Sequence, residues 1–322
     1  MKRLKVVSVF CAAALVIVSA AGVLAQTYKV AVSQIVEHPA LDATRQGLLD
    51  GLKAKGYEQG KNLEFVYQTA QGNPAIAVQI AKQFVGEKPD VLVGIATPTA
   101  QALAASTRTI PVIFTAVTDP LGAKLITDLE HPGGNVTGLS DLTPVAQHVD
   151  LMQELVPDLK TIGVVYNPGE ANAVALVDLL KSAAKNKKIQ VVEGTALKSA
   201  DVQGAARIIA SEVQVIYAPT DNTVASAIDA LIGVANQAKI PVFGGTTSFV
   251  ENGAVASLGF DYYQVGVQTA EYVEAVLTGQ KVGDIPVTFA KGSDLFLNQE
   301  AADNLGITFS EAMLERASSI KK

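Results

Sequence analysis

The stretch Pro111-Val112-Ile113-Phe114-Thr115-Ala116-Val117-Thr118-Asp119-Pro120 decides the fold of this chain. Its first half is an apolar, β-branched run, which is the pattern of a strand buried on both faces of a parallel sheet. The run stops at hydroxyls, a carboxylate and a proline, as a strand does where its end opens onto a ligand site. The turn-rich segment His131-Pro132-Gly133-Gly134-Asn135 follows, and the chain then repeats the same pattern of elements. This pattern predicts the last strand of one lobe, a crossing into a second lobe, and a functional site between the two.

Residues 1–25 have the composition of a secretory signal peptide. A basic start leads into an apolar run from Val6 to Val18, and Val23-Leu24-Ala25 ends the segment with small residues at the cleavage-determining positions. The run is short for a membrane span. Cys11, the single cysteine, follows a bulky residue, whereas a lipoprotein site requires a small one. We expect cleavage after Ala25 and a periplasmic location.

Composition excludes several classes of function. The 322 residues carry 25 Lys and Arg against 31 Asp and Glu, a formal net charge of −6, and removal of the basic signal peptide makes the chain more acidic still. An acidic chain without basic runs is a poor candidate for binding nucleic acid or an anionic membrane surface. Without a cysteine beyond residue 25 there is no disulfide, cysteine nucleophile or thiolate metal site. The length favours two domains.

Strand and helix patterns alternate along both halves of the chain, which predicts an α/β fold with two similar, doubly wound parallel-sheet lobes. The third part, after Asp261, does not repeat the unit and is available to pass back between the lobes. The strands are predicted at 28–34, 63–68, 90–95, 111–117, 161–166, 190–193, 213–218, 240–244 and 285–289, and the helices at 40–55, 74–85, 97–106, 172–186, 199–210, 223–238, 262–278 and 298–305.

Ligands bind outside the carboxyl ends of the strands in open parallel sheets. Two corresponding turns differ there: Thr97-Pro98-Thr99 offers hydroxyls and a helix N-terminus, which favour an anion, and Thr220-Asp221-Asn222 offers a carboxylate, which favours a cation. Such a cleft suits a zwitterion such as an amino acid. These side chains are also ordinary helix N-caps, and capping explains them equally well. The candidate ligand-binding residues are Gln34, Glu37, His38, Thr97, Thr99, Thr115, Asp119, Ser140, Asn167, Glu170, Asn172, Asp221, Asn222 and Asp261.

Enzyme signatures are missing from the sequence. It contains no phosphate-binding G-x-x-x-x-G-K-[ST], no H-E-x-x-H metal motif and no G-x-S-x-G nucleophile motif. Carboxylates paired across a cleft, such as those of Asp221 and Asp261, are able in principle to perform acid–base chemistry. The duplicated two-lobe plan favours capture of a solute without chemistry, with no catalytic residue, cofactor or metal.

Five segments together resemble one family. They are Gln34-Ile35-Val36-Glu37-His38-Pro39-Ala40-Leu41-Asp42, Val117-Thr118-Asp119-Pro120, Gly134-Asn135-Val136-Thr137-Gly138-Leu139-Ser140-Asp141, Tyr166-Asn167-Pro168-Gly169-Glu170-Ala171-Asn172 and Thr220-Asp221-Asn222-Thr223. In this order they are similar to the tryptophan/tyrosine-type substrate-binding family of ABC importers, within the type I periplasmic binding proteins. The resemblance covers essentially the whole mature chain.

The resemblance implies two lobes joined by three hinge crossings, with a solute closed between them and delivered to an inner-membrane ABC permease with a separate ATPase. Lobe one is expected at 26–138 plus 262–288, and lobe two at 139–261 plus 289–322. We expect a monomer that captures a small zwitterionic solute, an amino acid and in particular an aromatic one. The open alternatives are another solute (a sugar, peptide or nucleobase) and a ligand sensor for a membrane receptor.

Overall fold

The computed structural model describes residues 26–322, and the predicted signal peptide lies outside them. The first half of the described chain alternates parallel strands with helices, as the sequence pattern predicts. Its elements are β1 (Tyr28–Gln34), α1 (Pro39–Ala54), β2 (Leu63–Thr69), α2 (Pro74–Glu87), β3 (Val91–Ile95), α3 (Thr97–Ser106), β4 (Val112–Val117) and β5 (Val136–Ser140).

The second half repeats this arrangement with smaller elements between the strands. Its elements are α4 (Val145–Leu155), β6 (Thr161–Tyr166), α5 (Ala171–Asn186), β7 (Gln190–Thr195), a 3-10 turn (Ser199–Asp201), α6 (Val202–Ala210), β8 (Val215–Ala218), α7 (Asn222–Ala225), α8 (Ile228–Ala238), β9 (Val242–Gly244), α9 (Ser248–Asn252) and β10 (Ala256–Gly259). The remainder forms α10 (Tyr262–Leu277), a 3-10 turn (Val282–Asp284), β11 (Thr288–Phe289), β12 (Asp294–Asn298), α11 (Gln299–Leu305), α12 (Glu311–Arg316) and β13 (Ala317–Lys321).

The strands form two sheets, one in each lobe. Their orders are β11-β5-β4-β3-β1-β2 and β13-β12-β10-β9-β8-β6-β7. Among the described strands all pairs are parallel except β10 with β12. The chain passes between the lobes after β5, after β10 and after β11, since α10 packs on α1 and β11 pairs with β5 before β12 returns to the second sheet. The predicted two-lobe α/β fold with three crossings is confirmed.

The boundaries predicted within these crossings stay a prediction. The first sheet holds β5 as far as Ser140 and β11 as far as Phe289, whereas the predicted first lobe ends at 138 and 288. A hinge includes the residues whose backbone angles change when the lobes move, so the last residues of a strand can be assigned either to the lobe or to the hinge.

Apolar strands bury their side chains between helices on both faces of each sheet. In β4, Val112, Ile113 and Phe114 are fully buried in the core of the first lobe. The second lobe has one core cluster on each side of its sheet, around Tyr217 and around Ile216, which are neighbours in β8 and face opposite sides. These packed sheets hold the strand ends, and the loops after them, in place.

The helix predicted at 223–238 is two helices. α7 ends after one turn at Ala225, and α8 begins at Ile228, because Ala227 leaves the helical region with φ −135° and ψ 27°. The sequence interpretation also missed α4, α9, α12, β10, β12 and β13, most of which are short. Within residues 26–322 no helix is both long and apolar enough to span a membrane.

Candidate functional site

A narrow cavity lies between the lobes, at the carboxyl ends of the parallel strands. The space in it that water can occupy is about 20 Å³. This is room for little more than one water molecule. A larger solute therefore enters only when the lobes part. The first lobe lines the cavity with His38, Ala40, Leu41, Ala116, Thr118, Asp141 and Tyr262, and the second with Asn172, Thr220, Asp221, Asn222, Ala225, Thr246 and Phe249.

The first lobe presents the N-terminus of α1 to this cavity. Pro39 takes the first helical position, where an N–H has no intrahelical partner, and His38 precedes it with extended backbone and no side-chain cap. Ala40 and Leu41 follow, and no acceptor in the described chain receives a hydrogen bond from their backbone N–H groups. Free N–H groups at the positive end of a helix favour an anion.

His38 faces Asn222 of the opposite lobe across the cavity. Burial lowers the pKa of His38 to about 4, and its interaction with Asn222 opposes this shift only in part. The imidazole is therefore neutral near pH 7 when the lobes are closed. The α1 end of the cavity thus carries backbone donors rather than a charged side chain.

Asp221 is the acidic centre of the second lobe's wall and is 1% exposed. Its Oδ1 accepts a hydrogen bond from the N–H of Val224 at 2.8 Å, which caps α7, and its Oδ2 accepts one from the N–H of Asn167 at 2.6 Å. Burial, together with the negative charge of Glu170, raises the pKa of Asp221 to about 8. A cation in the cavity would stabilise the ionised carboxylate in place of the proton.

Glu170 supports this wall from behind the cavity lining. Its Oε2 accepts hydrogen bonds from the Nδ2 atoms of Asn222 (2.5 Å) and Asn172 (3.3 Å), and its Oε1 accepts one from the hydroxyl of Thr223 at 2.9 Å. The backbone N–H groups of Asn222 and Thr223 also donate to Glu170, each at 3.2 Å. Glu170 thus caps the first turn of α7 from a different part of the chain.

Two uncharged acceptors next to Asp221 have no hydrogen-bond partner in the described chain, namely Oδ1 of Asn172 and Oγ1 of Thr220. Asn172 is 3% exposed, and its Nδ2 donates to the carbonyl oxygen of Thr220 at 3.1 Å, which holds the two residues together. Buried polar atoms without partners are uncommon in native proteins. A ligand with several N–H donors would satisfy both acceptors and the carboxylate of Asp221 at once.

A second buried carboxylate, that of Asp141, lies in the first lobe's wall and is 4% exposed. It accepts hydrogen bonds from the hydroxyl of Thr118 at 3.1 Å and from the hydroxyl of Tyr262 at 2.8 Å. Burial raises the pKa of Asp141, and burial beside this carboxylate raises the pKa of Tyr262 well above its ordinary value, so the phenol stays protonated.

Six of the predicted site residues are at or next to the cavity. His38, Asn172, Asp221 and Asn222 line it. Asn167 and Glu170 hydrogen-bond to these residues and line a wider groove at the rim of the cleft. The turn after β8 with its carboxylate thus lies at the cavity, and Asp221 both caps α7 and lines the cavity. That Asp221 binds a ligand stays a prediction.

Four predicted hydroxyls lie outside the cavity lining because they are buried behind it. The hydroxyl of Thr99 donates to a carbonyl of β3 at 2.6 Å, that of Thr115 accepts from Thr269 at 2.7 Å, and that of Ser140 donates to a carbonyl after β4 at 3.0 Å. Thr97 is 1% exposed and lines neither the cavity nor the groove. The helix N-terminus at the cavity is therefore that of α1 and not the predicted one at Thr97.

Four further candidates have local roles outside the cavity. Gln34 donates to the carboxylate of Asp42 at 2.9 Å, and Glu37 is exposed on the surface. Asp119 accepts from a backbone N–H three residues ahead at 2.8 Å, and Asp261 caps α10 by accepting from a backbone N–H at 2.8 Å. Asp221 and Asp261 are therefore not a carboxylate pair, since only the first lines the cavity.

The sequence interpretation missed Thr118, Asp141 and Tyr262 as candidates. A bulge at the end of β4 explains part of this error: the register with β5 shifts between Phe114 and Val117, and Ala116 takes a positive φ of 52°. The bulge turns Ala116 and Thr118 toward the cavity in place of Thr115 and Asp119, which simple alternation favours. Asp141 immediately follows β5, so the strand-end rule itself was the available signal.

In the described part of the chain no group of three or more His, Asp or Glu side chains is placed to hold a metal ion. The polar groups of the cavity are carboxylates, amides, hydroxyls, an imidazole and backbone N–H groups. Acceptors lie around Asp221 in the second lobe and around Asp141 in the first, and backbone donors lie at the N-terminus of α1. This arrangement can bind a small molecule that carries both signs of charge.

Comparison with known proteins supports a binding role. The family model described as ABC transporter substrate binding protein matches residues 29–321. The chain is 40% identical to a protein named tyrosine-binding protein from Clostridioides difficile (strain R20291), over 84% of this chain and 79% of that protein. These relatives are solute-binding proteins and not enzymes.

Solved structures of similar proteins also agree with a solute-binding role. A conserved domain protein from Vibrio cholerae is 71% identical with a TM-score of 0.91, and an ABC domain in complex with L-Trp from Streptococcus pneumonia is 36% identical with a TM-score of 0.89. A ligand-free, open substrate-binding protein from Clostridium difficile, 37% identical, has a TM-score of 0.70. Each comparison covers 92% of this chain and 100% of the other. Solute-binding proteins of 14–16% identity, with TM-scores of 0.60–0.65, share the fold alone.

Proposed function

Because this chain belongs to the ABC transporter substrate-binding protein family, we propose that it captures an aromatic amino acid between its lobes and delivers it to a membrane importer. Proteins of this family act outside the cytoplasm. The observation that carries the choice of solute is the cluster of acceptors around Asp221, which faces the uncapped N-terminus of α1 across one cavity.

The hydrogen-bond acceptors around Asp221 fit an ammonium group. An ammonium has three N–H donors and one positive charge. Asp221, Oδ1 of Asn172 and Oγ1 of Thr220 supply three neighbouring acceptors, two of them without a partner, and Asp221 and Glu170 supply the negative charge. In the described chain no Lys or Arg forms an ion pair with either carboxylate, so a cationic ligand would meet no competitor.

The N-terminus of α1 fits the carboxylate of the same solute. The free N–H groups of Ala40 and Leu41 are two adjacent donors at the positive end of a helix of 16 residues. With the ammonium held by the second lobe and the carboxylate by the first, the solute bridges the lobes. Its binding energy then favours the closed arrangement over the open one.

Apolar side chains complete the lining, among them those of Leu41, Ala225 and Phe249, and suit a large apolar substituent. Relatives named for tyrosine binding or solved with L-Trp support an aromatic side chain. The higher TM-score to the Trp complex than to an open relative of similar identity supports lobes near the ligand-bound arrangement. An amino acid in the narrow cavity would hold the lobes slightly further apart than they lie here.

Isothermal calorimetry with L-tyrosine, L-tryptophan and L-phenylalanine tests this proposal. Asp221→Asn keeps the size of the side chain and one oxygen that can cap α7, but it removes the charge and one of the two hydrogen bonds from backbone N–H groups. Removing one partner of a buried charge pair costs about 2–5 kcal/mol, so affinity should fall by at least about thirtyfold.

Asp261→Asn is the matched control, because Asp261 caps α10 in the same way and lies outside the cavity. Its affinity should equal that of the wild type. Wild-type protein that binds none of these amino acids would refute the proposal, and unchanged affinity in Asp221→Asn would remove Asp221 from the site.

A further inference from the structure

The cluster of Asp141, Thr118 and Tyr262, here named the acceptor cluster of the first lobe, offers the cavity only hydrogen-bond acceptors. Each of the two hydroxyls has a single hydrogen, and both hydrogens are used on Asp141, from Tyr262 at 2.8 Å and from Thr118 at 3.1 Å. When the carboxyl group of Asp141 is ionised, only lone pairs remain free on all three side chains. A ligand group that meets this cluster must therefore bring a donor.

The acceptor cluster of the first lobe is held rigidly by the backbone around it. The N–H of Asp141 donates to the carbonyl of Val117 at 3.2 Å, and the hydroxyl of Ser140 donates to the carbonyl of Thr118 at 3.0 Å. These bonds join the ends of β4 and β5, and Tyr262 begins α10, which packs on α1. A carboxylate fixed in this way loses little freedom when a donor binds.

The ammonium of the solute does not explain this second carboxylate. Asp221 with its two unpartnered neighbours already supplies three acceptors in the other lobe. Asp141 is buried, forms no ion pair in the described part of the chain, and keeps free lone pairs beside the hydrogen bonds from Thr118 and Tyr262. It lines the same cavity as Leu41 and Phe249, where the side chain of the solute is placed.

We propose that Asp141, oriented by Thr118 and Tyr262, selects aromatic amino acids whose ring carries a hydrogen-bond donor, the phenol O–H of tyrosine or the indole N–H of tryptophan, over phenylalanine. This inference rests on the proposed function and specifies its substrate class. A ring without a donor would leave a buried carboxylate facing apolar carbon, which is unfavourable.

Two matched ligand pairs measure the selectivity of the wild-type protein without any substitution. L-tyrosine against L-phenylalanine removes the phenol O–H, and L-tryptophan against L-3-benzothienylalanine replaces the indole N–H by sulfur in a ring of the same shape. The donor-bearing member of at least one pair should bind about ten- to a hundredfold more tightly, the range for a hydrogen bond to a charged group. Selectivity below threefold in both pairs would overturn the inference.

Asp141→Asn assigns the selectivity to the carboxylate. The ratio of dissociation constants within the selective pair should fall at least fivefold, because the donor-bearing ligand loses its charged acceptor and phenylalanine no longer faces a buried charge. Asp119→Asn is the control, because the carboxylate of Asp119 serves a local turn outside the cavity, and its ratio should be that of the wild type. Tyr262→Phe, which keeps Asp141, should retain most of the selectivity.

The outcomes separate this inference from the proposed function. Equal weakening of all four ligands in Asp141→Asn would mean that Asp141 is structural, and the inference fails although the protein binds aromatic amino acids. A wild-type protein that binds none of the four would refute the proposed function itself. Thermal unfolding of each variant without ligand, with a midpoint close to that of the wild type, shows that the fold is intact.

Discussion

Three buried carboxylates, those of Asp141, Glu170 and Asp221, have different partners and therefore different roles. Glu170 has both oxygens occupied by donors from its own lobe, so it positions other residues. Asp221 has two backbone donors and no compensating charge nearby, and Asp141 has two hydroxyl donors. Burial makes an unpaired charge unfavourable, and the last two are the groups that a ligand would stabilise most.

Glu170→Gln tests the supporting role at the residue scale. The amide would direct its N–H₂ group at one of the N–H groups that now donate a hydrogen bond to Glu170. The first turn of α7 would also lose a charged cap. We expect the free energy of unfolding to fall by about 1–3 kcal/mol, the cost of leaving a buried donor unsatisfied. Urea unfolding monitored by circular dichroism measures this change.

The control for Glu170→Gln is Glu193→Gln, since Glu193 is exposed and pairs with Lys181 and Tyr166 at the surface. Its effect should lie within about 0.5 kcal/mol, as for most surface substitutions. Equal stability of the two variants would show that Glu170 does not hold α7 in place.

At the scale of elements, the contact between α1 and α10 brings two parts of the cavity together. α1 begins with the free N–H groups, α10 begins with Tyr262, and the helices approach so closely that backbone touches backbone. A Cβ atom on Gly266 would lie 2.0 Å from the carbonyl oxygen of Thr44, and one on Gly47 would lie 2.0 Å from that of Tyr263. Only glycine permits this approach.

Gly266→Ala should therefore push the two helices apart. Forcing extra atoms into a packed contact costs about 1–3 kcal/mol, and the contacting group here is the rigid backbone of Thr44, so we expect the upper end of this range. Differential scanning calorimetry should show a lower melting temperature. Because Tyr262 moves with α10, affinity for the aromatic amino acid should fall as well.

Gly204→Ala is the matched control within a helix. Gly204 lies in α6 with open space where its Cβ would be, so alanine should leave stability unchanged or raise it by up to about 1 kcal/mol. A melting temperature of Gly266→Ala equal to that of the wild type would contradict the close packing of α1 on α10.

At the scale of the whole molecule, closure of the lobes changes the charge of the groups that face the cavity. With the lobes closed, burial raises the pKa of Asp221 to about 8, raises the pKa of Asp141, and lowers the pKa of His38 to about 4. In an open cleft, water restores these groups toward their ordinary values, near 4 for Asp and 6.5 for His. Closing the empty cleft thus binds a proton at Asp221 and releases one at His38.

Closure of the ligand-free protein should be nearly independent of pH between about pH 4 and 6.5, where the proton taken up at Asp221 is balanced by the proton released at His38. Between about pH 6.5 and 8 closure should weaken as pH rises, because His38 is neutral in both forms while Asp221 still has to bind a proton. Small-angle X-ray scattering at pH 5, 7 and 9 measures this, with the largest radius of gyration expected at pH 9.

Single substitutions separate the two contributions to this profile. Asp221→Asn should remove the opening at pH 9, and His38→Gln should make closure at pH 5 more favourable than in the wild type, because closing then releases no proton. A bound amino acid replaces the proton at Asp221 with its ammonium, so the protein with saturating ligand should stay compact at pH 9. A radius of gyration independent of pH in the ligand-free wild type would contradict the assigned pKa shifts.

The rule that ligands bind at the carboxyl ends of strands selected residues that line the cavity in the second lobe. In the first lobe it mostly selected residues that lie outside the lining. Asp221 and Asn172 follow their strands directly, so position along the chain was sufficient to find them. In the first lobe the bulge at Ala116 changes which side chains face the cleft, and no residue type marks it, because Ala is uncommon at a positive φ. The anion site was predicted at α3 from the hydroxyls and helix N-terminus at Thr97-Pro98-Thr99, but α1 also has proline in its first turn, and only packing shows which helix faces the cavity.

The sequence by itself determined the two α/β lobes, their order along the chain and the carboxylate at the turn after β8, because hydrophobic periodicity and turn residues are local properties. Only the tertiary structure decided that α1 rather than α3 opens onto the cavity, that Glu170 lies behind Asp221, and that Asp141 meets Tyr262 from 121 residues away in sequence. Those relations depend on how lobes and helices pack, and packing joins residues whose separation along the chain carries no signal of their contact.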